Sequence, residues 1–254
     1  ASGGSKPFVS IYSTFLQRAI DQLIHDIAIM NLPIKLLIDR SGIVGADGET
    51  HHGLFDIAII RNIPNFVFLA PSSGEELRDM IHFAAAYDKG PIAIRYPRGQ
   101  ISDDLQITEW KPFTVGKAKI LHEGKNVAIF TLGDMTKTAI EIKNNLKNAN
   151  ISATVINLLS IKPLDLNSIE QIISKTDCFC TLENGIISGG IGEYILSNIE
   201  TKFAEKLLFC AGFPDEFIPH GSNNELFKKY LLDSESLTER ILHEYKNNSI
   251  KNAI

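Results

Sequence analysis

A chain of 254 residues with 44% hydrophobic and 22% charged residues is long enough for one large domain or two modest ones, and two is the working number. The formal charge of -5 spreads no basic footprint, which argues against a nucleic-acid partner, although local arginines can still hold a small anion. Cys178, Cys180 and Cys210 are too few and too irregular for a disulfide framework or a four-ligand zinc site. No apolar run approaches the ~20 residues that span a bilayer, and ASGGSKP lacks the charged and apolar regions of a signal peptide. The expectation is a soluble protein of a reducing cytoplasm, with no membrane partner.

In chain order, PFVSIY (7–12) reads as a buried strand, and Thr14 with Gln17 as a capping box opening a helix. That helix would carry Leu16, Ile20, Leu23, Ile24 and Ile27 on one face and end by Pro33. PIKLLID is a strand, LFDIAIIRNI a short helix, and FVFLA a strand. Ser72 or Ser73, with Glu75 or Glu76 three residues later, caps the next helix, and PIAIRY follows as a strand. The pattern lapses over 101–115, read as a linker. A second series then runs from GKAKILHEGKNVAIFTLG, where EGKN suggests a hairpin turn. A helix near 137–148, the strand ISATVINLL, a helix near 166–174, the strand DCFCTLE, a helix after GGIG, the strand KLLFCAG and two closing helices complete it. The fold class is therefore α/β, with two domains at 1–100 and 116–254, each a mostly parallel sheet flanked by helices and each with its own core.

The stretch DRSGIVGADGETHHG (39–53) follows directly on a strand, where open α/β sheets bind ligands. Its glycines let the loop turn tightly and aim polar side chains inward. Arg98, in RYPRG, stands in the same relation to another strand as Arg40 does to its own. Two such guanidiniums could clamp a phosphate, or could be surface arginines paired to nearby acids. His51 and His52 are adjacent and point in different directions, so no metal site is assigned. Gly189, Gly190 and Gly192 before a helix suit close packing better than a phosphate cradle. His220 fits a domain or subunit contact, and Glu183 lacks an evident partner.

The strings IYSTFLQRA, DRSGIVGADGETHHG, FVFLAPSSGEEL and IRYPRG, read in order, resemble the pyrimidine-binding domain of the 1-deoxy-D-xylulose-5-phosphate synthases, thiamine diphosphate enzymes of the transketolase superfamily. LSIKPLD, LENGIISGGIG and GFPDEFIPHG resemble the transketolase-type C-terminal domain of the same family. The resemblance implies a transferase that condenses pyruvate, with loss of CO2, onto D-glyceraldehyde 3-phosphate, supplying isoprenoid and thiamine biosynthesis. It implies thiamine diphosphate and Mg2+ as cofactors and a homodimer as the assembly. Carried over by position, Phe15 would stack on the aminopyrimidine ring with Arg18 nearby. Tyr12, Arg40 and Arg98 would hold the acceptor phosphate, and Asp47 and His51 would contact the acceptor's hydroxyl and carbonyl oxygens. His51 would also be the proton donor. Members of the family are longer, and in them the diphosphate and Mg2+ ligands precede the region matched here, so the chain would hold half of a site and be inactive alone. Two alternatives stand beside this reading: a beta-type subunit of a 2-oxoacid dehydrogenase or a split transketolase, and a non-enzymatic α/β interaction module.

Overall fold

The extended apolar runs form strands, and the capped amphipathic runs between them form helices. The computed structural model describes residues 1–100 and 113–251, with side chains described as far as 248. The first sheet takes β1 (Phe8–Tyr12), β2 (Lys35–Asp39), β3 (Val67–Leu69) and β4 (Ile92–Arg95), all parallel, in the order β1-β2-β4-β3. The second takes β5 (Lys119–His122), β6 (Val127–Thr131), β7 (Ala153–Asn157), β9 (Cys178–Ile186) and β10 (Leu207–Phe213) in the order β10-β9-β6-β7-β5, parallel except for β5. The α/β class is as expected.

The remaining strand, β8 (Ser160–Lys162), leaves the second series and pairs antiparallel with β3, closing the first sheet. The expectation of two separate cores is corrected with it. Leu36, Ile38 and Phe68 of the first sheet share one cluster with Ala128, Phe130, Ile156 and Phe179 of the second. Alternation along β6 explains how: Ala128 and Phe130 face this shared layer, whereas Val127 and Ile129 face the helices Met135–Lys147 and Ser234–Lys251. Of the expected linker, 101–112 lies outside the described residues, while Phe113 and Val115 pack against the outer cluster of the first sheet.

Four local expectations also change. β1 is an edge strand rather than a buried one, with Phe8 and Val9 each about two-fifths exposed. The helix after it is a succession of short pieces, α (Ser13–Leu16), 3-10 (Gln17–Ala19), α (Ile20–Gln22) and π (Leu23–Ala28). The wider π turn rotates Ile24 off the face that buries Leu16 and Leu23. Thr14 makes no cap there; its hydroxyl donates to the Thr50 carbonyl at 2.8 Å. EGKN does not close a hairpin, because both edges of β6 are taken by β7 and β9, so β5 pairs antiparallel with β7 instead. By contrast Ser73 caps the helix Gly74–Ala86, accepting from the Glu76 amide, and the helix Leu166–Ser174 begins and ends where its pattern does.

Candidate active site

Three neighbouring strands deliver the sequence-predicted residues to one place. In the registers of the parallel ladders Tyr12 lies beside Asp39 and Ile38 beside Arg95, so β1, β2 and β4 end together. Tyr12, Phe15 and Arg18 follow from β1, Arg40 and the loop to Gly53 from β2, and Arg98 from β4. The loop is closed at its base by reciprocal hydrogen bonds between Gly42 and Gly53, both 2.7 Å.

The two arginines converge on a single atom. Arg40 Nη1 and Arg98 Nη1 donate to the same oxygen, Asp47 Oδ2, at 2.6 and 2.8 Å. Burial pushes the Asp47 carboxyl up, but the hydrogen bond from Arg98 and the charges of Arg98, Arg40 and His51 outweigh it and hold the group below the usual aspartate range. The Arg40 guanidinium lies 4.2 Å from the centre of the Tyr12 ring, and Tyr12 stacks on Phe15 with ring centres 5.6 Å apart. Phe15 meets His51 edge-on at 5.7 Å, and Arg18 lies 6.0 Å from the Phe15 centre. Thr50 Oγ1 lies 2.9 Å from His51 Nδ1. All seven residues thus form one continuous cluster in which Arg98 and Phe15 remain open to solvent.

The two histidines of HHG diverge. His52 is buried and accepts at Nδ1 from the Val44 amide (3.1 Å), which leaves Nε2–H to donate to the Pro219 carbonyl (3.2 Å). Burial lowers its pKa, in keeping with the unprotonated Nδ1 that the Val44 amide requires, and the two bonds pin the loop to the second half of the chain. His220 sits beside it against Gly48, at the contact between the halves that its position suggested.

Sequence reasoning missed the polar network beneath the loop. Asp56 Oδ2 accepts from Arg95 Nε (2.9 Å) and Ser41 Oγ (2.7 Å), and Arg95 Nη2 donates to the Asn184 carbonyl (2.9 Å). The Asp56 and Arg95 side chains are 0% and 3% exposed. Asn184 Oδ1 accepts from the Ile43 amide (3.1 Å), and its Nδ2 donates to Asp134 Oδ2 (2.7 Å). Gly42 has φ +84°, and a Cβ there would overlap the Asn184 side-chain amide, so glycine is required on both counts. The available signal was a charged residue, Arg95, within the apolar strand PIAIRY.

Glu183 has its partner after all. Its carboxylate accepts from the amides of Ile191 (2.9 Å) and Gly192 (3.0 Å), filling the N-terminus of the helix Ile191–Asn198, and Gly190 leaves no space for a Cβ against it. Burial raises the Glu183 pKa to about 7 against the downward pull of those amides and of Arg95. Because the folded value exceeds the unfolded 4.5, the stability associated with this group is fully present below about pH 4.5 and is lost as pH rises through 7. Thermal unfolding of Glu183→Gln beside the parent should therefore show a flatter fall of stability between pH 5 and 8, by on the order of 3 kcal/mol. Parallel Tm–pH curves would contradict this. His52 acts in the opposite sense in both proteins, so the comparison cancels it.

The chain finds counterparts among known proteins. Residues 1–103 match the transketolase pyrimidine binding domain, and residues 116–237 match the transketolase C-terminal domain. The chain belongs to the transketolase superfamily. Among its relatives it is 44% identical over 243 residues to the 1-deoxy-D-xylulose-5-phosphate synthase of Caldanaerobacter subterraneus subsp. tengcongensis, covering 96% of this chain and 39% of the relative. It is 42% identical over 248 residues to the synthase of Chlorobaculum tepidum, covering 97% and 39%. The chain thus spans about two-fifths of the length of the curated relatives it matches. Among solved structures, a split-gene transketolase described as an inactive beta4 tetramer superimposes with a TM-score of 0.83 at 26% identity, over 96% of this chain and 77% of that one. Transketolase from Pichia stipitis shares the fold, with a TM-score of 0.74 at 16% identity over 94% and 34%.

Proposed function

We propose that this chain carries the acceptor side and the pyrimidine side of the active site of a thiamine diphosphate-dependent transferase of the 1-deoxy-D-xylulose-5-phosphate synthase type, acting on pyruvate and D-glyceraldehyde 3-phosphate. The observation that carries the reading is the convergence of Arg40 and Arg98 on one oxygen of Asp47. Two guanidiniums that meet at a single anionic oxygen are already spaced for a phosphate, and each keeps further N–H donors for it. The similarity of 44% and 42% to synthases, against 26% to the split transketolase, favours the synthase over the split-chain alternative. An interaction module would gain from arginines that diverge, and these do not.

Each side chain then has a task. Arg40 and Arg98 hold the acceptor phosphate with Tyr12 beneath Arg40, Asp47 orients the acceptor hydroxyl, and His51 delivers a proton to the acceptor carbonyl oxygen as the new C–C bond forms. The ring of Phe15, over a third exposed and adjacent to His51, fits the pyrimidine of thiamine diphosphate, with Arg18 alongside. That cofactor supplies the electron sink for the two-carbon unit of pyruvate. The diphosphate and Mg2+ are a different matter, since the chain spans only about two-fifths of the length of the curated relatives it matches. We assign those ligands to a part of the enzyme outside this chain, and we further propose a homodimeric, cytoplasmic assembly and a division of this chain into domains at 1–100 and 116–254. No helix among the described residues is long and apolar enough to cross a membrane.

A calorimetric titration tests this division of the site. The 254-residue chain, given thiamine diphosphate and Mg2+, should show no tight binding and form no deoxyxylulose phosphate. A submicromolar affinity, about -8 kcal/mol or better, would mean that the diphosphate and metal ligands lie within the chain.

A further inference from the structure

The loop that brings Asp47 and His51 to the arginines is held from below by a residue of the other sheet. Asn184 lies within β9, more than a hundred positions away in sequence, and is 1% exposed. Its side chain spans two partners: the Ile43 amide at the start of the loop and the Asp134 carboxylate just after β6. Its backbone carbonyl takes Arg95, which also grips Asp56 and through it Ser41. Ile43 and Leu54, at the two ends of the loop, bury their side chains in the cluster of the second sheet. Gly42 packs so closely over the Asn184 amide that no side chain fits between them. The loop is therefore anchored to the second sheet as well as to the strand from which it emerges.

We propose that Asn184 is a positioning residue for the acceptor site, the means by which the C-terminal half of the chain sets the placement of Asp47 and His51. This rests on the acceptor reading above. The amide suits the task because the two bonds demand opposite characters, an acceptor toward the Ile43 N–H and a donor toward Asp134. Asn184→Asp keeps shape and volume but sets a carboxylate against the Asp134 carboxylate, which disfavours the pair. Asp134→Asn on the same background restores a donor and an acceptor with their places exchanged.

Amide hydrogen exchange on the chain itself, followed at Ile43 and through the loop to Gly53, reads the first half of the proposal. In Asn184→Asp these amides should exchange at least tenfold faster, and in the doubly exchanged variant they should return toward the parent rate. Unchanged exchange at Ile43 in Asn184→Asp overturns the proposal. If Asn184→Asp does not fold, the double variant decides alone: parent-like protection supports the pairing and fast exchange overturns it. Steady-state kinetics of the complete enzyme reads the second half. The KM for D-glyceraldehyde 3-phosphate should rise about 5- to 100-fold in Asn184→Asp, recover in the double variant, and leave the KM for pyruvate unchanged. A loosened loop with an unaltered acceptor KM, in an enzyme where Arg98→Ala does raise that KM, overturns the positioning role. If Arg98→Ala has no effect on the acceptor, the acceptor reading itself fails, and the exchange data still decide whether Asn184 orders the loop.

Discussion

Replacing Arg40 or Arg98 with alanine should lower kcat/KM for D-glyceraldehyde 3-phosphate by about 30- to 1000-fold, the equivalent of about 2 to 4 kcal/mol for a lost charged contact. The loss should fall on the acceptor KM and leave the pyruvate KM nearly unchanged, because both guanidiniums gather at Asp47 at the ends of β2 and β4. Lysine should rescue poorly, since an ammonium keeps the charge and loses the planar fork that can bind two phosphate oxygens at once. His51→Ala should differ in kind, lowering kcat as well, because a proton donor matters most as charge develops on the carbonyl oxygen. Initial rates of the complete enzyme with each substrate varied in turn would show the split. Equal rises in both KM values would mean that the arginines support the fold of the site and not the acceptor.

The second large effect concerns stability. Asp56 and Arg95 form an ion pair almost without solvent contact, and each also bonds to a further group, Ser41 and the Asn184 carbonyl respectively. Removing one partner strands the other's charge in the interior. Asp56→Ala or Arg95→Met should therefore cost about 3 to 5 kcal/mol, a fall in Tm of roughly 6 to 20 °C for a chain of this size. Removing both charges together should cost less than the sum of the single losses, and a double-mutant cycle by denaturant unfolding measures that coupling. Single costs below about 1 kcal/mol, the range of exposed pairs, would contradict the burial described here.

The sequence was most legible where one physical signal acted alone. The helix Leu166–Ser174 and the Ser73 cap follow from local apolar spacing and local hydrogen bonding, which need nothing distant to be true. That Arg40, Asp47 and Arg98 gather was foreseeable because strand ends collect ligands in open α/β sheets, whereas Tyr12 entered only through the family resemblance. What escaped was non-local. EGKN has the composition of a hairpin, yet only the occupancy of both edges of β6 decides where β5 goes. SIK lies beyond the expected strand ISATVINLL and forms a strand of its own against the edge that β3 offers. Glu183 and Asn184 lie within the string LENGIISGGIG, but their roles exist only once β9 sets them against a helix N-terminus and a loop about 140 residues earlier in the chain. Thr14 was misread for a related reason, since a hydroxyl in a first helical turn can serve a loop as readily as a cap.

That the arginine pair grips a phosphate is tested most directly by comparison of two acceptors. The complete enzyme and its Arg98→Ala variant would each be assayed with D-glyceraldehyde 3-phosphate and with unphosphorylated D-glyceraldehyde, pyruvate being saturating. Arg98 is the better choice because its side chain is half exposed and outside the buried network, and on its loss Arg40 still holds Asp47. The clamp predicts that the variant loses about 30-fold or more on the phosphorylated acceptor and almost nothing on the unphosphorylated one. An equal loss on both acceptors would contradict it.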